Sequence, residues 1–197
     1  MADGVVVSNG LAWSPDNTVM YYANSRGNTV YAFDFDIETG DIANRRDFIS
    51  TADIPGWVDG ATVDTEGCYL AAHIDGWEVA QYDPQGNLMR TIPVPVRYPS
   101  MCSFGGRELD VLYVTSIGYK VQPGDLERSP LGGTLFAITG TGATGIPEPF
   151  FASLLRTPFK SLMENGVFVL PACETGRTKW QILRSNVSGK VRTSWER

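Results

Sequence analysis

Ser8-Asn9-Gly10-Leu11-Ala12-Trp13-Ser14-Pro15-Asp16 opens a pattern that the chain goes on to repeat. An oxygen-bearing side chain and a glycine precede a short apolar run, Leu11 to Trp13, which stops at the turn Ser14-Pro15-Asp16-Asn17. Val19 to Ala23 is a second run. Ser25-Arg26-Gly27-Asn28 turns the chain, and Thr29 to Phe35, rich in β-branched and aromatic residues, is a third. Glu38-Thr39-Gly40 turns it again. Apolar runs of strand length, punctuated by Gly, Pro, Asn and Asp every 8–12 residues or so, predict antiparallel β-structure.

The order returns from residue 57. Pro55-Gly56-Trp57-Val58-Asp59-Gly60 leads into the strand Ala61-Thr62-Val63, the turn Asp64-Thr65-Glu66-Gly67 and the strand Cys68 to Ala72. Glu78 to Asp83, the turn Pro84-Gln85-Gly86-Asn87 and the run Leu88 to Val96 follow. Laying Asn9-Gly10 on Asp59-Gly60 brings Asp34 opposite Asp83 after a one-residue gap. A weaker third copy runs through Met101 to Phe104, Leu112 to Thr115 and Thr134 to Ile138. Repeats of roughly 40–50 residues with about four strands each predict β-propeller blades. One such blade cannot cover its two apolar faces, and radial stacking covers both. The expected architecture is all-β, a partial ring of about three blades over residues 1–152, whereas closure takes at least about four.

From about Leu154 the pattern fails. Val167-Phe168-Val169-Leu170 and Trp180-Gln181-Ile182-Leu183 are candidate strands, and the end is polar and basic. Residues 1–153 carry 8 basic and 19 acidic side chains, whereas residues 154–197 carry 8 and 3. That shift marks a boundary and separates a basic tail, 153–197, from the repeats.

The bulk numbers exclude several classes. Hydrophobic content of 43% and charged content of 19% support a packed core. A net charge of −6 argues against a general nucleic-acid binder, which needs clustered Lys and Arg on phosphates. No apolar run approaches the roughly 18 residues of a membrane span, and the N-terminus lacks a basic segment followed by an apolar one, so no signal peptide is expected. The cysteines Cys68, Cys102 and Cys173 are odd in number and widely spaced, which indicates neither a disulfide framework nor a zinc site. The expected compartment is the cytoplasm.

Asn9 and Asp59 hold equivalent places in successive repeats, so both can point at one centre, as ligands of a metal do. Asn-Gly and Asp-Gly are also strong turn signals in their own right. His73, the only histidine, follows Leu70-Ala71-Ala72 at an expected strand end, where a hydrogen-bonded rim residue is the ordinary reading and a pocket contact the functional one. Ser100 and Met101 begin the third repeat, where an axial pocket would continue, and are candidate substrate contacts. Asp34, Asp36 and Asp83 are expected to accept hydrogen bonds in turns. No GxSxG, HExxH or P-loop pattern occurs.

Taken in order, these motifs resemble the family of senescence marker protein (regucalcin), gluconolactonase and luciferin-regenerating enzyme. The resemblance rests on Ser8 to Ser14, Phe33-Asp34-Phe35-Asp36 with Glu38-Thr39-Gly40, and Val58-Asp59-Gly60 with Asp64 and Gly67. Ser103-Phe104-Gly105-Gly106, Leu112 to Ser116, and Gly132-Gly133 with Phe136 extend it. It implies a six-bladed propeller with one divalent metal at the axis, of which residues 4–152 match the second half. Asn9 and Asp59 then stand for two of the family's three metal ligands. The third, a glutamate, has no counterpart here, nor do the Arg and Asn that help to bind lactones. The family's usual C-terminus corresponds to Phe150-Phe151-Ala152.

The implied function is metal-dependent hydrolysis of sugar lactones of the gluconolactonase type, with Asp59 as a candidate general base as well as a ligand. Amide and carboxylate oxygens suit Ca²⁺, with Mg²⁺, Mn²⁺ or Zn²⁺ as alternatives. Two alternatives to the enzyme remain open. One is a propeller remnant without catalysis. The other is a calcium-binding module completed by self-association, a homodimer through open blade edges. The expected small-molecule partner is a sugar lactone, with neither nucleic acid nor membrane involved.

Overall fold

The structure is a computed structural model that describes residues 3–118, 124–148, 167–174, 177–185 and 191–194. Its first sheet has the order β1 (Ser8–Trp13), β2 (Val19–Asn24), β3 (Thr29–Phe35) and β4 (Ile42–Ser50). The second repeats it with β5 (Trp57–Val63), β6 (Tyr69–Ile74), β7 (Glu78–Tyr82) and β8 (Leu88–Pro93). The third begins with β9 (Pro99–Gly105), β10 (Val111–Ser116) and β11 (Leu135–Ile138). Each of these three runs is an antiparallel meander. The only helical pieces among the described residues are a single 3-10 turn, Ser25–Gly27, and a four-residue helix, Asp125–Arg128. The fold is thus a three-bladed part of a β-propeller.

Two apolar cores lie between the blades. Tyr21, Val30, Val58, Val63, Tyr69 and Tyr82 fill the space between the first and second sheets. Leu70, Val79, Cys102, Leu112, Val114 and Phe136 fill that between the second and third. Strand β6 is buried along its whole length because it faces both cores. Its sequence, Tyr69-Leu70-Ala71-Ala72-His73-Ile74, therefore shows no alternation of apolar and polar residues. Burial pushes the Cys102 thiol up to about 12 and raises the Tyr69 phenol well above its ordinary value.

The turn aspartates do local work. Asp64 Oδ1 accepts from the amides of Glu66 and Cys68 at 3.0 and 2.8 Å, and Oδ2 accepts from Gln81 at 2.8 Å. Arg90 then donates to Gln81 Oε1 at 2.6 Å, tying the turn to β8. Asp36 and Asp83 accept from amides in their own turns, as expected of them. Asp34 does not. It lies inside β3 and accepts from Asn44 and Arg46 of β4, both at 2.7 Å, so its role is a cross-strand one.

Three readings change with the structure. The fourth strand of the first blade, β4, is Ile42-Ala43-Asn44-Arg45-Arg46-Asp47-Phe48-Ile49-Ser50, and its polar centre hid it from a search for apolar runs. His73 is no rim residue. It sits within β6 between Val58 of β5 and Glu78 of β7, beside the Tyr82 ring, with 1% of its surface exposed. Finally, β12 (Val167–Glu174), β13 (Arg177–Ser185) and β14 (Val191–Ser194) join the third sheet, β12 running parallel to β11. The expected domain boundary at 152/153 lies outside the described residues.

Candidate metal-binding site

Each blade's innermost strand carries a one-residue bulge at the same height. In β1 the pairing slips between Asn9 and Ala12, and in β5 between Val58 and Ala61. In β9 it slips around Ser100, since Met101 faces Thr115 while Pro99 faces Ser116. A bulge kinks its strand and re-aims the side chains on it. Asn9, Asp59 and Ser100 thereby occupy corresponding places on three neighbouring inner strands.

Glycine lets those strands approach. Gly10 has φ +56°, and a Cβ there would run into the Tyr69 hydroxyl and lie 3.1 Å from Val58 Cγ1. The Tyr69 hydroxyl donates to the Gly10 carbonyl at 2.7 Å. A Cβ on Gly60 would lie 2.8 Å from Met101 Cα and 2.9 Å from the Ser100 carbonyl oxygen. The glycine of each dipeptide is therefore where one inner strand meets the next, and the polar residue before it is held beside that junction.

A further residue completes the arrangement: Ser25, which by sequence alone is a turn residue. Ser25 is 2% exposed and bridges the two blades. Its hydroxyl donates to the Val58 carbonyl, next to Asp59, and accepts from Asn9 Nδ2 at 2.9 Å. A hydroxyl has a single proton. With that proton on a carbonyl, Ser25 can only accept from Asn9, which fixes the Asn9 amide with its NH₂ toward Ser25. The Asn9 carbonyl oxygen is left as a free acceptor. Ser25 is itself fixed by its amide, which donates to the Val7 carbonyl at 3.0 Å, and Arg26 beside it stacks on Trp57 at 4.1 Å.

Asp59 is half-buried, and burial raises its carboxyl above the ordinary value. Among the described residues no side chain or amide donates to it. A partly desolvated carboxylate without a donor is a group that a cation would stabilise. The Asn9 carbonyl and the Asp59 carboxylate are both hard oxygen donors, and such residues fit an oxygen-seeking divalent cation as part of its shell. They do not make a full one: no group of three or more His, Cys, Asp or Glu converges among the described residues.

The other candidates divide. Met101 lies against Gly60 and lines a cavity of about 600 Å³ that runs along the inner strands past Leu11, Trp13, Ala61, Val63 and Ser103. Ser100 shares a hydrogen bond with Thr115, Oγ to Oγ1, at 2.9 Å. His73 is elsewhere, in the core between the first and second blades. Its Nε2 is 3.4 Å from the Tyr82 hydroxyl, its Nδ1 is 3.5 Å from Glu78 Oε1 without a hydrogen bond, and burial lowers its pKa to about 4. A ring so enclosed has no surface to offer a substrate.

Residues 1–118 match the model of the SMP-30/Gluconolactonase/LRE-like region. The chain belongs to that family. Regucalcin of Oryctolagus cuniculus is 39% identical to it over 151 residues, which are 76% of this chain and 50% of that protein. Among solved structures, a luciferin-regenerating enzyme superposes with a TM-score of 0.67 at 33% identity, over 73% of this chain and 48% of that one. Regucalcin from Agrobacterium tumefaciens, described as a calcium-binding protein, superposes with a TM-score of 0.70 at 27% identity, over 75% and 50%. This SMP-30/gluconolactonase-like chain thus spans about half the length of the relatives it matches. No helix among its described residues is long and apolar enough to cross a membrane.

Proposed function

We propose that the chain serves metal-dependent hydrolysis of sugar lactones, the activity that gives gluconolactonases their name. The observation that carries this reading is the clamp of Ser25 on Asn9, which presents a carbonyl oxygen on the strand next to an undonated, partly buried Asp59 carboxylate. Asn9 and Asp59 would hold the cation, with calcium the preferred ion and magnesium, manganese or zinc as alternatives. When bound, such a cation polarises a lactone carbonyl and makes water more acidic.

The chain's own residues supply the rest. Burial makes the Asp59 carboxylate more basic, so it is suited to take a proton from the attacking water. The water oxygen bonds to the lactone carbonyl carbon, the ring C–O bond breaks, and the released alkoxide takes up a proton to leave the open-chain hydroxy acid. Met101 and Ser100, beside Gly60, would form the substrate wall next to that carboxylate. The cytoplasmic assignment belongs to the same proposal.

The test is hydrolysis of glucono-1,5-lactone followed by pH-stat. Activity is expected to need added divalent metal, to vanish with chelator and to fall at least about 100-fold in Asp59→Ala. Hydrolysis that survives chelation would overturn the reading. A second reading, calcium binding without catalysis, is favoured by the description of the Agrobacterium relative as calcium-binding. It predicts calcium binding that Asp59→Ala weakens, with no turnover.

A further inference from the structure

The strand register shows which places in the first blade correspond to which in the second. Trp13 pairs with Met20 as Val63 pairs with Tyr69. Met20 pairs with Phe33 as Tyr69 pairs with Tyr82, and Tyr22 with Tyr31 as Ala71 with Ala80. With Asn9 laid on Asp59, Leu11, Trp13, Met20 and Tyr22 take the places of Ala61, Val63, Tyr69 and Ala71. The latter four are at most 5% exposed, packed against the first blade. The former four, with Phe35 and Ile42, line an open groove of about 500 Å³ in which Leu11 is 48% and Trp13 37% exposed. The first blade thus carries, uncovered, the face that its successor buries against a preceding blade.

The third blade carries the complementary face. Cys102, Leu112 and Val114 point into the core with the second blade. Alternate residues Met101, Ser103, Tyr113 and Thr115 therefore point the other way. That is the kind of face on which the first blade receives the second, through Tyr21, Ala23 and Val30, and the second receives the third, through Leu70, Ala72 and Val79. Among the described residues two blade faces lie open, Met101 on the second being 42% exposed, and faces of those two kinds are already joined to each other twice within the chain.

We propose that two copies of this chain close into one ring about a two-fold axis and share a single calcium-class cation, held by Asn9 and Asp59 of each copy. The inference rests on the reading of Asn9 and Asp59 as cation ligands. A second copy suits the vacancy for two reasons. Each open face of one copy meets the kind of face it is built to meet, so both are buried at once and closure is complete with two subunits. The ligand set also doubles, to two amide carbonyls and two carboxylates. That is two negative charges against a divalent cation, with room for waters in a shell of about 6–8 oxygens.

Sedimentation velocity and calcium titration calorimetry on the full chain test this. The expected result is a species of twice 21.5 kDa binding one calcium per two chains. Tyr22→Arg, on the open face, is expected to yield a monomer and to weaken calcium binding at least tenfold. Trp13→Lys does the same on that face and serves if the first variant fails to melt cooperatively. Asp59→Asn is expected to leave the pairing in place while weakening calcium at least tenfold. A monomer binding one calcium per chain overturns the two-copy ring and leaves the ligand reading standing. A dimer whose calcium binding ignores Asp59→Asn overturns the ligand reading. A dimer untouched by both face variants overturns the proposed interface.

Discussion

His73 shows how one enclosed ring couples stability to pH. Its imidazole lies between two blades with no hydrogen-bond donor or acceptor at Nδ1, and burial holds its pKa near 4, against 6.5 in the unfolded chain. Glu78, 3.5 Å away, does not offset that burial. The unfolded chain therefore takes up the proton first. The contribution is fully present above about pH 6.5 and is lost as pH falls from there toward 4, by up to ~3 kcal/mol. Urea melts at pH 7, 6, 5 and 4 should show that decline, and His73→Gln should flatten it. An equal decline in the variant would assign the effect to other groups. At the same scale, Ser25 decides how Asn9 can act, since its one proton goes to the Val58 carbonyl.

At the scale of the strand, the inner-strand glycines have different duties from those in the outer turns. Gly10 has φ +56° and sits against Tyr69, Ala23 and Val58 at the junction of two blades. Gly40 has φ +75° in an outer turn with nothing within 4 Å of a built Cβ. Gly40→Ala should cost only the strain of a left-handed backbone, about 1 kcal/mol. Gly10→Ala adds a clash that would push apart β1 and the strands behind it, and should cost roughly 2–4 kcal/mol. Chemical denaturation of the two variants side by side measures the difference. Similar losses would mean that the inner strands do not meet as closely as their geometry requires.

At the scale of the whole molecule, β6 links the blades, because its alternate side chains enter both cores. Leu70 is fully buried between the second and third blades, and Tyr69 between the first and second. Leu70→Ala should destabilise by about 2–5 kcal/mol. The loss is expected to lower one common transition rather than release the third blade alone. Near- and far-ultraviolet circular dichroism melts check this, and a separate early transition would show that the blades fold as independent units.

The repeat was legible because antiparallel strands state themselves locally: apolar runs, Asn and Asp turns, and glycine at places of positive φ. The correspondence of Asn9 and Asp59 was legible because they recur at one place in that repeat. Strand β4 was not, since an outer strand with one solvated face needs few apolar residues, and Asn44, Arg45, Arg46 and Asp47 bury nothing that a pattern search detects. His73 was misjudged because a sequence shows where a strand ends but not what packs over it. Ser25 looked like any turn serine until the fold set it between Asn9 and the strand of Asp59. The sequence by itself determined the all-β repeat and the family, since these follow from residue type and spacing along the chain. Only the tertiary structure decided which way the Asn9 amide faces, that His73 is sealed in, and which blade faces lie open, since those depend on contacts between residues far apart in the chain.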